Sequence, residues 1–404
     1  MQAPMTRNFA PRNDSLDNVR TLLVLAILLL HAACAYAFGI PWWHAQDHKH
    51  LLFDLLIVSV DNFALPALYF VAGTFALPSL DRHGDARFLV RKLKRLGLPV
   101  VVLSTFYLPA MVYMGYLRRA ENPTPFLDYW LQWLVTLTDW NFVIITSMET
   151  GAPYIDALSP HHLWFMSLLL VFFAGYALCR KITPPRREKR RLSWLGVLAW
   201  GAVMALGYAT VNALVQDWTW ARLGPFLLFQ PSRLPVYAAA FVFGVRSRSR
   251  LASGDPMPGP VWAWLAVFLV SQAAMIACVN IFIAAPGPAT LPTALAHGAL
   301  RAVLTVSAIC LLVNASRRFL AGPSTWRQSL AASSYDIYML HMPLTILAQT
   351  AFVALPLPLF VKMSLAFTTT LLLCWGLSRT MAPRGPWLPA TLLAGWFALF
   401  CLVW

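Results

Sequence analysis

Arg20-Thr-Leu-Leu-Val-Leu-Ala-Ile-Leu-Leu-Leu-His31 is an apolar run with a guanidinium at one end and an imidazole at the other. Read as a helix, eleven steps of about 100° return to within roughly 20° of the start, so both side chains share one face. A rise of about 1.5 Å per residue sets them roughly 16 Å apart along the axis, near half the depth of a bilayer core. A cation at the membrane edge and an imidazole at mid-depth are costly in lipid. Such residues usually face a bundle interior and mark a pathway or a reaction site. Taken singly, Arg20 also reads as a topogenic charge and His31 as a packed interhelical residue. The shared face favours the functional reading.

The rest of the chain supplies the bundle. Of 404 residues, 59% are hydrophobic and 12% charged, with 17 Trp and a mean hydropathy of +0.62. That composition predicts an all-α, polytopic integral membrane helical bundle with the lipid bilayer as its solvent. A net charge of +15 invites a nucleic-acid partner, which the charge distribution rejects. Most of the 31 Lys and Arg fall in six short segments, 1–20, 80–96, 180–192, 246–250, 315–328 and 379–387, with pairs of apolar stretches between them. This is the positive-inside pattern, and it predicts a cytoplasmic N-terminus.

Eleven spans are read, at about 20–38, 51–78, 97–117, 162–179, 193–215, 233–246, 260–283, 293–314, 329–354, 357–378 and 388–404, so the bundle has about 10–11 transmembrane helices. The sixth is short, and the last reads equally as a re-entrant or interfacial helix. The second is long and holds Pro66, which permits a break. Residues 1–15 form a cytoplasmic tail, 16–378 the membrane-embedded domain and 379–404 a C-terminal hydrophobic helix. The small residues Cys34-Ala35-Tyr36-Ala37 resemble a signal-peptidase site, but Asp17 ahead of the apolar run fits a retained span better. The six Cys show no metal or disulfide spacing, and no metal is expected.

One loop, 118–161, is large and lies outside in this topology. It carries Glu121, Asp128, Asp139, Glu149 and Asp156 among Trp130, Trp133, Trp140 and Tyr154, with an amphipathic stretch at 126–145. Acidic and aromatic groups together suit carbohydrate, although aromatic residues are also common at membrane interfaces.

Within the spans, Asp61 and Asn62 reach a level similar to that of His31. Asp61 either orients the His31 imidazole or pairs with an Arg or a backbone group. Arg87, Arg91 and Arg95 recur every four residues on one helix face, a geometry suited to phosphate, although spacing alone favours the topogenic reading. His161-His162-Leu163-Trp164-Phe165 opens the fourth span, and Tyr335-Asp336-Ile337-Tyr338-Met339-Leu340-His341-Met342-Pro343 lies in the ninth. His341 sits about twelve residues from the cytosolic edge, a depth close to that of His31, which suggests a shared cavity.

These segments resemble the acyltransferase-3 family of integral membrane acyltransferases. The matching residues are Leu16-Asp17 and Val19-Arg20 ahead of His31, Tyr69-Phe70-Val71-Ala72-Gly73, Arg91 and Arg95 with Pro99, His162-Leu163-Trp164-Phe165, and Ile337-Tyr338-Met339-Leu340-His341 with Pro343. They run in family order from 16 to 343. The His-Leu-Trp-Phe and Tyr-x-x-His-x-Pro patterns are most similar to a stand-alone branch that includes the enzyme succinylating osmoregulated periplasmic glucans. The chain departs in having Ala72-Gly73 where the family often has Ser-Gly. Its end in or just after a span predicts that no hydrolase-like second module follows.

The resemblance implies a multi-pass enzyme of the bacterial inner membrane. It would move an acyl group from cytosolic acyl-CoA, acetyl-CoA or succinyl-CoA, to a hydroxyl of an extracytoplasmic glycan or similar acceptor. Arg20, Arg91 and Arg95 are then coenzyme-binding candidates. His31 is the general base with Arg20 and Asp61 beside it, an acyl-imidazole step being the less favoured route. His162, Trp164, Tyr338 and His341 are substrate-binding candidates. A homo-oligomer is left open. The rival class is a secondary transporter or exporter of a small molecule or glycan precursor. Ten to twelve spans suit it, but the sequence shows no two matching halves.

Overall fold

In the computed structural model, residues 14–145, 157–182, 193–282, 288–322, 324–381 and 387–404 are described. The run quoted above is helix α1 (Asp14–Ala33), opened by Asp14 and Asp17, whose charges favour a helix N-terminus. It gives way to a 3-10 turn at Cys34–Tyr36.

Prolines cut the next two spans, and the cuts have consequences. The second span is two helices, α2 (Leu51–Asp61) and α3 (Ala64–His83), interrupted at Asn62 and Phe63. Pro66 has no N–H to give to the carbonyl four residues back, that of Asn62, so the ladder stops there. The third is assembled from α4 (Asp85–Lys92), a π-turn (Leu93–Gly97), α5 (Leu98–Phe106) and α6 (Leu108–Arg119). Pro109 likewise leaves the Thr105 carbonyl without its helical donor. The Trp130 indole of α7 (Phe126–Val135) fills that place at 2.8 Å, and Trp133 donates to the Ser104 carbonyl at 3.0 Å. The amphipathic stretch is therefore a helix only over its first half, docked through its Phe126, Tyr129 and Trp133 face. Glu149 and Asp156 lie outside the described residues.

The remaining helices are α8 (Trp164–Ile182), α9 (Trp194–Asn212), α10 (Leu234–Ala252), α11 (Val261–Ala277), the single turn α12 (Val279–Phe282), α13 (Leu291–Phe319), α14 (Thr325–Val353), α15 (Leu359–Met381) and α16 (Trp387–Val403). Among the described residues seven helical stretches are long and apolar enough to cross a membrane. The helices α11 and α16 are apolar but shorter. Two spans read from the sequence fall below that standard for a chemical reason. The helix α10 carries Arg246, Arg248 and Arg250, and α14 carries Asp336, His341 and Gln349 along its length. The chain is an all-α polytopic membrane protein. Leucines and valines point outward from α9, α11 and α15, such as Leu198, Leu206, Leu269, Val270, Leu372 and Leu373. Such a surface would be an aggregation liability in water and is ordinary against lipid.

A three-stranded antiparallel sheet was not anticipated. Strand β1 (Phe142–Ile145) pairs with β2 (Trp220–Leu223), which pairs with β3 (Leu227–Phe229). The turn between β2 and β3 holds Gly224 at φ +59°, a conformation cheap only for glycine.

The helices α3 and α10 cross in direct backbone contact. A Cβ on Gly73 would lie 2.1 Å from the Phe241 carbonyl oxygen, and one on Gly244 would lie 2.0 Å from that of Phe70. Each glycine thus receives the backbone of the other helix, which explains the Gly73 of the Tyr-Phe-Val-Ala-Gly segment as a packing requirement. Gly73→Ala and Gly244→Ala are each expected to cost about 1–3 kcal/mol or more through overpacking. Thermal midpoints in detergent will read this loss. Gly376→Ala, where a Cβ meets nothing within 4 Å, serves as the control. A Gly73→Ala protein as stable as the control would contradict the crossing.

Candidate functional site

The helices α1 and α14 lie side by side, and both residues of the opening run face α14. Near one end Arg20 meets Ala331 and Ser334, and further along His31 meets His341. The shared helix face is thus the face packed on α14.

His31 and His341 are hydrogen-bonded, Nδ1 to Nε2, at 2.8 Å. Their ring centroids are 5.0 Å apart with planes 27° from parallel, which fits rings meeting edge to edge in line with that bond rather than face to face. The backbone fixes the tautomers. His341 Nδ1 lies 2.8 Å from the Tyr338 carbonyl and 3.2 Å from that of Ile337, and a carbonyl only accepts, so Nδ1 carries the proton. In the neutral pair His341 Nε2 is then an acceptor, and His31 Nδ1 donates to it. The His31 proton is thereby assigned to Nδ1, leaving Nε2 with a lone pair. Nε2 has no hydrogen-bond partner among the described residues, and the His31 ring is half-buried while His341 is 1% exposed. A neutral imidazole with one nitrogen oriented by a partner and the other free is the arrangement a general base needs.

His162 joins the pair, its ring 5.0 Å from that of His341. Its position follows from Pro343. With no N–H at 343, the Met339 carbonyl lacks its helical donor, and His162 Nε2 supplies one at 3.1 Å. The Tyr338 hydroxyl donates to the His162 carbonyl in return. The His-Leu-Trp-Phe and Tyr-x-x-His-x-Pro segments are thus two halves of one joint between α8 and α14. His162 Nδ1 is buried and without a partner among the described residues.

Other expected residues fall elsewhere. Asp61 does not reach His31. It pairs with Arg233, just ahead of α10, because residue count fixes the depth of Asp61 but not which way α2 is rotated relative to α1. Trp164 turns away from the imidazoles and packs on Trp220 of β2 and Tyr237 of α10, at 5.3 and 5.8 Å. Arg20 is engaged within the protein. Its Nε donates to Ser334 at 3.0 Å, one Nη to the Ala331 carbonyl at 2.9 Å, and the other pairs with Asp17 at 3.0 Å. The bonds to Ser334 and Ala331 clamp α1 to α14, and the Asp17 pair lies within α1.

Arg91 and Arg95 are exposed, and the π-turn alters the phase between them. Arg95 lies over the Tyr335 ring at 5.3 Å, and the Tyr335 hydroxyl donates to the Arg95 carbonyl. Tyr335 follows Ser334, so Arg20 and Arg95 converge on one turn of α14 from either side.

A buried ionic network was missed in the sequence. Asp217, in the loop between α9 and β2, takes a side-on fork from Arg233, Nε to Oδ1 at 3.1 Å and Nη2 to Oδ2 at 2.8 Å. It also accepts from Arg301 at 3.1 Å and from the Tyr208 hydroxyl at 2.7 Å. Burial opposes ionisation of Asp217, but Arg233 and Arg301 outweigh it and hold the carboxyl well below the usual carboxylate range. The network joins α2, α9, α10 and α13.

Residues 13–379 match the family model Acyl_transf_3, described as an acyltransferase domain. No curated protein and no solved structure matches the chain.

Proposed function

The chain belongs to this acyltransferase family, and from that premise we propose that it transfers an acyl group from cytosolic acyl-CoA to a hydroxyl of an extracytoplasmic glycan or glycan-like acceptor. The observation that carries the reading is the His31–His341 hydrogen bond, which leaves His31 Nε2 unprotonated. In the proposed step, Nε2 takes the proton of the acceptor hydroxyl as its oxygen attacks the thioester carbonyl. The tetrahedral intermediate collapses, the C–S bond breaks, and the coenzyme leaves as a thiolate that recovers the proton from the His31 imidazolium. While that imidazolium exists, its Nδ1–H points at His341 Nε2. His341 is held in turn by the Tyr338 and Ile337 carbonyls, so the developing charge meets an oriented chain of acceptors.

We place the coenzyme at the face bearing the basic clusters, with Arg91, Arg95 and Tyr335 around its phosphates and adenine. Arg20 acts there by fixing the wall they line. His162 and Tyr338 hold the α8–α14 joint beside the reacting atoms. Acetyl-CoA and succinyl-CoA are the donors to try first. The likeness to the glucan-succinylating branch favours a periplasmic glucan as acceptor.

The test is release of free coenzyme thiol by purified protein supplied with acetyl-CoA or succinyl-CoA and a periplasmic glucan. The proposal expects turnover with one of the two donors and an ester on the glucan by mass spectrometry. Absence of both with every donor and acceptor pair would contradict it. In the same assay, Arg95→Ala is expected to raise KM for the donor by at least about tenfold while changing kcat little. An unchanged KM in correctly inserted protein would return Arg95 to a topogenic role.

A further inference from the structure

The segment between α1 and α2 drives an indole into the bundle. Trp43 is 1% exposed, and its ring lies nearly parallel to that of His31, 13° between planes and 5.6 Å between centroids. Its Nε1–H donates to Oε1 of Gln349 on α14 at 2.8 Å. Gln349 is fully buried, and its Nε2 donates to the carbonyls of both His31 and Ala32, each at 3.0 Å. The partners determine the orientation of the amide: an indole N–H only donates and a carbonyl only accepts, so Oε1 faces Trp43 and Nε2 faces α1. The carbonyls it takes lie where α1 passes into the 3-10 turn, a place where helices run short of backbone donors.

One side chain therefore caps the end of α1 at the level of His31 and holds the ring that lies alongside the imidazole. The segment carrying Trp43 is itself anchored. Arg118 donates to the Trp43 carbonyl at 2.9 Å, and a buried Asp47–Lys362 ion pair at 2.8 Å ties it to α15. At the Nδ1 edge of His31 stands His341, about two turns before Gln349 on α14.

We propose that Gln349 and Trp43 are positioning residues for His31. Together they keep its Nδ1 on His341 and its Nε2 free for the acceptor hydroxyl. This rests on the reading of His31 as general base. Misplacing a catalytic group by about 1 Å costs on the order of 10²-fold, so a clamp on both the backbone and the ring face of His31 has the leverage to set turnover.

Three variants test the assignment by turnover. Gln349→Met keeps volume and removes the amide, Trp43→Phe keeps a ring and removes the N–H, and the third combines both. Each single change is expected to lower kcat by about 10–100-fold with KM for the acyl-CoA donor within about twofold. The double variant is expected to be no slower than the slower single one, because both changes break the same Nε1–H···Oε1 link. A folded Gln349→Met protein with wild-type kcat, or single losses that multiply in the double variant, would overturn the proposal. A second readout needs no acyl donor. Carbethoxylation of His31 by diethyl pyrocarbonate, followed by mass spectrometry, is expected to speed up at least about threefold in Gln349→Met and in Trp43→Ala as the imidazole loosens. Unchanged labelling in both folded variants would overturn the positioning role whatever the activity. Faster labelling in a protein that turns over no acyl-CoA would uphold the clamp and overturn the donor reading.

Discussion

Replacing His31 with Ala is expected to lower acyl transfer by about 10²–10⁴-fold, the range lost with a general base. The fold should survive. His31 is half-buried, and its one described side-chain hydrogen bond is to His341, whose Nδ1 keeps its carbonyl partners without it. His341→Gln is expected to be milder, since a glutamine amide oxygen can still accept from His31 Nδ1–H and preserve the tautomer. The measurement is initial rate of thiol release alongside the thermal midpoint in detergent. A His31→Ala protein with unchanged midpoint and unchanged rate would make the imidazole a packing residue.

The largest stability effect is expected at Asp217. The fork from Arg233 and the bond from Arg301 enclose a carboxylate that is itself 1% exposed, and both guanidiniums are buried. Asp217→Asn keeps the shape and removes the charge, leaving two cations with only Asp61 between them. Breaking a buried pair from one side typically costs about 3–5 kcal/mol. A fall of several degrees in the thermal midpoint, or failure to fold, is the expected result. Asp61→Asn should cost less, because its side chain is 20% exposed and can be rehydrated. The pH dependence has a definite sign. The folded-state pKa of Asp217 is depressed, so its contribution is complete above the unfolded value of about 3.9 and is lost only as pH falls below that toward the folded value. Stability near neutral pH should therefore be insensitive to this group, and a midpoint that dropped between pH 7 and 5 through Asp217 would contradict the network.

What could be read in advance follows from what periodicity encodes. Depth along a helix is set by residue count, so His31 and His341 could be placed at one level from their distances to charged edges, and the structure brings them into contact. Rotation is encoded within one unbroken helix, which is why Arg20 and His31 share the face toward α14. It is not encoded across a break. Nor is it encoded between separate helices: Asp61, in the last turn of α2, pairs with Arg233 and not with His31 of α1. Trp164 shows a related limit: at the turn from the 3-10 segment His161–Leu163 into α8, neighbours in sequence point to different sides.

Partners brought together only by tertiary packing left fainter marks. Asp217 is a single acid in a short connection, and nothing near it announces Arg301, 84 residues away. The sheet draws β1 from one loop and β2 and β3 from another. Prolines inside apolar runs specify which carbonyl loses its helical donor, four residues back. Pro343 frees Met339 for His162, and Pro109 frees Thr105 for Trp130. A freed carbonyl in a buried helix requires a donor from elsewhere in the chain, here a His and a Trp.

In the proposed function acyl groups cross from a donor at the basic face to an acceptor on the other side, with His31 between them. Sealed vesicles prepared in both orientations, given radiolabelled acetyl-CoA or succinyl-CoA on one face only, test it most directly. The donor should be consumed only when presented to the face that carries Arg91 and Arg95, with labelled glucan ester appearing on the opposite face, and His31→Ala should abolish both. Equal consumption and product formation with donor and acceptor both supplied at the face opposite Arg91 and Arg95 would contradict that crossing.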